Sequence, residues 1–92
     1  MQFEWDQRKA AANVRKHGVA FIDAITTFSD PLARIFPDPD HSEFEERELI
    51  VGYDSAARLL YVSFVERHGN VRIISARCAT AREASTHEKH LK

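Results

Sequence analysis

The spacing of apolar residues changes period along this chain. The change divides it into a helical opening, a stranded middle and a closing helix. Phe3 to Trp5 is a short apolar entry that reads as an edge strand. Asp6 reads as an N-cap, and Gln7 to His17 as a helix ended by Gly18. Ala10 and Val14 share one face of it, while Arg8, Lys9, Arg15 and Lys16 are mostly solvated. Phe21, Ile22, Ala24, Ile25 and Phe28 follow the spacing of a second, short amphipathic helix, which Asp30-Pro31 stops. Ala33 to Phe36 reads as a short strand and Pro37 to Glu43 as a loop. Glu46 to Tyr53 then alternates, with Leu49, Val51 and Tyr53 on one face. Asp54 to Ala57 is a turn, Arg58 to Arg67 alternates again, His68-Gly69-Asn70 is a three-residue hairpin turn, and Val71 to Arg77 is the last strand. Thr80 and Glu83 form a capping box, so a helix runs from Thr80 to about His90, its thin apolar face carrying Ala84, His87 and Leu91. The expected fold is a single α+β domain over residues 1–92. It has two N-terminal helices, an antiparallel meander of about four strands and a C-terminal helix.

The turn lengths predict a register. In the last hairpin Tyr61 opposes Arg77, Ser63 opposes Ser75, Val65 opposes Ile73 and Arg67 opposes Val71. In the preceding one Val51 opposes Leu60, Ile50 opposes Tyr61 and Leu49 opposes Val62. One sheet face then carries Leu49, Val51, Leu60, Val62, Phe64, Ile74 and Ala76 as the core. The other gathers Glu46, Glu48, Tyr61, Ser63, Arg67, Ser75 and Arg77. A slip of one residue would exchange the faces.

Length and composition add limits. Ninety-two residues suit one domain with a modest core, and 43% hydrophobic with 29% charged residues is the balance of a soluble globular protein. The opening residues contain acids and no apolar signal core, and no run is long enough to span a membrane, so a cytoplasmic protein is expected. The lone Cys78 excludes an internal disulfide and reads as a small buried hydrophobe. The net charge of −1 conceals segregation: residues 20–57 carry nine acids against two bases, and residues 58–92 seven bases against three acids. Such a chain either offers a basic surface to an anion and an acidic one to a basic partner, or neutralises the two segments internally. In the first case the acidic stretch 38–48 faces a protein partner or the chain's own basic helix, not RNA.

Metal and cofactor chemistry find little support. The five histidines, His17, His41, His68, His87 and His90, lack ligand spacing; His41 beside Asp38, Asp40 and Glu43 reads as a solvated loop cluster. With three glycines, at 18, 52 and 69, no phosphate-cradling loop is present. The polar sheet face is the better candidate. Metal-free RNA cleavage needs a base for the 2′-hydroxyl, cations for the phosphorane and an acid for the leaving 5′-oxygen. A positioned base or acid contributes ~10²–10⁴-fold, and each preorganised donor ~10²–10³-fold. Arg67 and Arg77 fit the cationic role, with Arg77 at the scissile group because it ends a strand just before a helix N-terminus. Glu46, Glu48, His17, Lys16 and His87 fit proton transfer. Arg72, Arg82, Tyr61, Ser75 and His87 are the further RNA-contacting candidates. The competing reading is structural: cross-strand Glu–Arg pairs on the sheet, and Lys16-His17 complementing a helix dipole.

The residues also carry a resemblance. Phe3-Glu4-Trp5-Asp6, Lys9-Ala10, Asn13, Lys16-His17-Gly18-Val19 and Phe21 resemble the opening signature of the BrnT toxin family. Asp30-Pro31, Glu46-Arg47, Gly52, Leu60, Glu66-Arg67, Arg72 to Arg77, Ala79-Thr80 and Glu83 resemble the rest. The resemblance implies a small bacterial ribonuclease of a type II toxin–antitoxin system with a fold like that of RelE-type interferases. It also implies a BrnA-like ribbon-helix-helix antitoxin, which sequesters the toxin and represses the operon, reaching operator DNA itself; an assembly with two of each chain is the expected stoichiometry. No cofactor is implied. One departure is that Ala84-Ser85-Thr86-His87-Glu88 replaces a basic run leading to a tyrosine, so His87 stands at the tyrosine's place. A non-catalytic module that binds protein or nucleic acid in operon repression is the alternative function.

Overall fold

The computed structural model describes residues 1–39 and 46–91. The expectations for Asp40, His41, Glu43 and Glu45 lie outside the described residues. The elements are β1 (Gln2–Glu4), α1 (Gln7–His17), α2 (Phe21–Ala24) continuing as a 3₁₀ turn (Ile25–Ser29), β2 (Arg34–Pro37), β3 (Glu48–Tyr53), β4 (Leu59–Arg67), β5 (Asn70–Cys78) and α3 (Ala81–His90). The second helix is therefore a single α-turn that tightens, because Thr26 and Thr27 turn their hydroxyls back onto the carbonyls of Asp23 and Ala24. Both caps of α1 have local causes. The Asp6 carboxylate accepts from the N–H groups of Arg8 and Lys9, and Gly18 takes φ 70.

The five strands form one sheet in the order β1-β5-β4-β3-β2. It is mixed, not a four-strand antiparallel meander, because the entry segment pairs parallel to β5, Phe3 against Val71. After β1, helix α1 runs on along the edge of β5, bringing Asn13 beside Ala76, before the chain crosses to the far edge of the sheet at β2. β1 spans only Asn70 to Arg72 of its neighbour, so the upper edge of β5 has no strand beside it. Buried Asn13 of α1 fills that place. Its Nδ2 donates to the carbonyls of Ala76 and Val19 at 2.8 Å each, and its Oδ1 accepts from the Ala76 N–H at 3.1 Å. One side chain thus stands in for a strand and pins α1 to β5.

The register departs from expectation in both hairpins. The β4–β5 turn has two residues, His68 and Gly69, both at positive φ, so Arg67 meets Asn70 and not Val71. A bulge between Ser63 and Phe64 then restores the alignment, and Tyr61 faces Arg77 and Ser63 faces Ser75 as the sequence predicts. Between β3 and β4 the turn is one residue longer than expected. The Asp54 carboxylate accepts from the N–H groups of Ala56 and Arg58 and from Arg58 Nε, enclosing Arg58 in the loop. β3 consequently slides by one, Ile50 against Val62 and Val51 against Tyr61. Ile50 and Gly52, not Leu49 and Val51, face the N-terminal helices. Glu48 aligns with Phe64, away from Ser63.

The core lies between that face and α1–α2: Val19, Phe21, Ala24, Ile50, Leu60, Val62, Phe64, Val71, Ile73 and Ala76 are buried together. Ile74 leaves this face because the bulge reverses the alternation of β5. Gly52 is required by a close approach, since a Cβ there would lie 2.9 Å from Ala33 Cβ and 3.2 Å from the Asp30 carboxylate. The opposite face is not an open polar surface. Helix α3 lies against it, through His87 on Tyr53 and Glu83 on Arg77.

Candidate active site

A pocket of about 420 Å³ opens on this second face beside α3, lined by His17, Asp38, Pro39, Leu49, Tyr61, Ser63, Ser75, Ala76, Arg77 and Glu83. Its floor is the paired cross-strand set of Tyr61 with Arg77 and Ser63 with Ser75. The wall comes from α1. Asn13 is fixed to Ala76, and His17 lies one helical turn further along the same face. The clamp that completes β5 therefore also brings the imidazole to the pocket.

Arg77 is held on three sides. Its Nη1 and Nη2 donate to the two Glu83 carboxylate oxygens at 2.7 and 2.9 Å, Nη1 also reaches the Cys78 carbonyl at 3.4 Å, and its guanidinium carbon stands 4.6 Å from the Tyr61 ring centroid. Glu83 is itself fixed. It accepts from the Thr80 N–H at 2.9 Å while the Thr80 hydroxyl accepts from its own N–H. The Arg77 guanidinium, helped by the Thr80 N–H, holds the Glu83 carboxyl at about 2, well below its ordinary 4.5. The same pairing raises Arg77 further. Burial, together with the Glu83 charge, pushes the Tyr61 phenol up. Across the pocket the Ser63 hydroxyl donates to buried Asp38 at 2.8 Å.

Of the sequence candidates, His17, Tyr61, Ser75 and Arg77 line this pocket. The others are elsewhere. Lys16 is exposed next to His17, and Arg82 is exposed in the first turn of α3. Arg67 is exposed at the far end of β4, ~20 Å along the strand from Tyr61. Arg72 pairs with Glu4 at 3.3 Å near the same end of the sheet. Glu46 lines a separate hollow with Pro37, Arg47 and Glu48. His87 is only 3% exposed, its ring 5.8 Å from Tyr53 and its Nε2 without a hydrogen-bond partner among the described residues. That burial removes the solvent access an RNA contact needs, and makes the imidazole part of the α3 packing. Cys78 is exposed rather than buried, because the strand ends there.

Two site residues escape the sequence reading. Asp38 reads as a member of an acidic, solvated loop, yet it is 6% exposed. Its contact crosses from the end of β2 to β4, and no local signal marks it. Glu83 reads only as the capping carboxylate. A strand-final arginine six residues before a capping glutamate is the signal that would have linked the two.

Comparison with known proteins agrees with this architecture. The family model described as "Ribonuclease toxin, BrnT, of type II toxin-antitoxin system" matches residues 5–83. Among solved structures, the Brucella abortus ribonuclease toxin BrnT is similar to this chain with 26% identity and a TM-score of 0.68, over 87% of this chain and 97% of that one. No curated protein matches the sequence. With the family model spanning most of the chain, including His17, Tyr61, Ser75, Arg77 and Glu83, the protein belongs to the BrnT family of ribonuclease toxins of type II toxin–antitoxin systems.

Proposed function

We propose that this chain is a metal-independent endoribonuclease whose activity inhibits translation, and that the pocket beside α3 is where RNA is cut. The observation that carries the reading is the convergence of a fixed guanidinium, Arg77, with an imidazole, His17, and the hydroxyls of Tyr61 and Ser75. The 2′-oxygen attacks phosphorus and the P–O5′ bond breaks, leaving a 2′,3′-cyclic phosphate and a 5′-hydroxyl. Arg77 offsets the charge of the phosphorane. Among the proton-transfer candidates, His17 is the one that lines the pocket; it takes the 2′-hydroxyl proton or delivers one to the leaving oxygen. Arg82 meets a flanking phosphate, and Arg67 and Arg72 serve more distant ones. Lys16 adds positive charge beside His17. Glu46 is left to a supporting role.

Membership of a type II family gives the chain a protein antitoxin as partner. A BrnA-like ribbon-helix-helix dimer fits that role, two toxins to two antitoxins, in the bacterial cytoplasm, with operator DNA reached through the antitoxin.

One observation favours the non-catalytic alternative. The end of the Arg77 guanidinium is already occupied by a carboxylate, as in a structural ion pair. Incubating antitoxin-free protein with RNA in EDTA separates the readings. Cleavage with cyclic-phosphate ends, lost in His17→Ala, is the expected result. Intact RNA with folded protein would favour the binding module.

A further inference from the structure

Arg77 has five N–H donors, arranged along two usable edges: an end-on edge, Nη1 with Nη2, and a side-on edge, Nε with Nη2. Glu83 takes the end-on edge with both oxygens, and the remaining Nη1 hydrogen lies toward the Cys78 carbonyl. The Nε–H and the second Nη2–H are what is left, and Arg77 lines the pocket. Glu83 does not readily swing away to release the other edge, because the same carboxylate caps α3 through the Thr80 N–H. The Tyr61 ring fixes the plane of the guanidinium from one side.

We propose that Glu83 is the positioning residue of the site: it grips Arg77 end-on so that the side-on edge is presented to two non-bridging oxygens of a phosphodiester. This rests on the reading that the pocket receives RNA. The Arg77–Glu83 pair is then a built support for a bidentate clamp, and neither a decorative salt bridge nor a competitor for the phosphate. It also makes lysine a poor replacement at 77, since one ammonium cannot hold a carboxylate on one edge and a phosphate on another.

Glu83→Gln isolates this role. Glutamine at the third helical position still completes a capping box, so α3 is retained. It accepts only one of the two Arg77 hydrogen bonds and carries no charge. The first measurement is the Arg77 side-chain Nε–H resonance in uniformly ¹⁵N-labelled wild-type protein, assigned by its loss in Arg77→Lys, during titration with a 2′-O-methyl oligoribonucleotide that cannot be cleaved. A specific shift of that resonance on binding is expected. Binding that leaves it unmoved would overturn the proposal. The second is cleavage kinetics of Glu83→Gln: kcat should fall on the order of 10- to 100-fold, with KM unchanged or lower because a negative charge is gone. An unchanged or raised kcat would overturn the positioning role. Absence of wild-type cleavage together with a shifted Nε–H would sink the ribonuclease reading and leave this assignment standing. Absence of both would sink both.

Discussion

Replacing Arg77 by alanine removes the group that stacks on Tyr61 and pairs with Glu83. Turnover should fall on the order of 10²–10³-fold, read as kcat on a defined RNA. Arg67→Ala should instead raise KM and flatten its salt dependence with kcat nearly intact, because that residue lies at the other end of β4. If the two phenotypes were exchanged, the site would be misplaced. Glu83 makes stability depend on pH. Its folded carboxyl sits at about 2 against an ordinary 4.5, so below about pH 4.5 the unfolded chain binds this proton more readily than the folded one. The stabilisation it gives is complete above about pH 4.5 and is lost as pH falls toward 2. The Arg77 side chain is 42% exposed, so solvent screens the pair and the loss should be about 1 kcal/mol. Urea midpoints of wild type and Glu83→Gln should differ most at pH 6, less at pH 3, and converge only near pH 2. A gap as wide at pH 2 as at pH 6 would refute the assignment.

Between α1 and β5, Asn13 replaces a strand that is absent. Asn13→Ala leaves the Ala76 N–H and C=O and the Val19 carbonyl without their partner in a dry place, so it should cost about 2–4 kcal/mol. Denaturant unfolding with an unchanged slope and a lowered midpoint would report this. The same substitution loosens the end of α1 that carries His17, so cleavage should weaken beyond what the folded fraction explains. A variant with wild-type stability would show that the clamp contributes nothing. Neighbouring elements owe their offsets to equally local groups. Asp54 lengthens one turn and thereby shifts β3, while the bulge at Ser63 and Phe64 compensates for a short turn at His68-Gly69.

For the whole molecule, the mixed sheet leaves β1 and β2 as its two edges, while helices cover parts of both faces. Exposed Ile35 and Phe36 lie on the β2 edge and Val14 and Ile22 on the helical side. No helix among the described residues is long and apolar enough to cross a membrane. Co-expressed toxin and antitoxin should sediment as a particle with two copies of each, and a strict one-to-one heterodimer would overturn it.

The sequence by itself determined the elements whose causes lie within a few residues. Asp6 and Gly18 bracket α1, Thr80 and Glu83 start α3, alternation marks β4 and β5, and the motifs carry the family. It also paired Tyr61 with Arg77, although through a turn of the wrong length that a bulge corrected. Only the tertiary structure decided what depends on contacts distant in sequence. The parallel pairing of β1 joins Phe3 to Val71, residues far apart along the chain. The face of β3 turns on one extra residue in a loop, because strand side chains repeat every two positions. His87 is interior because α3 lies on the second sheet face, which a helix's own periodicity does not reveal. Asp38 and Glu83 join the site for the same reason. A carboxylate's local chemistry is the same in a solvated loop, in a cap or beside a guanidinium, and the fold alone selects which neighbour it meets.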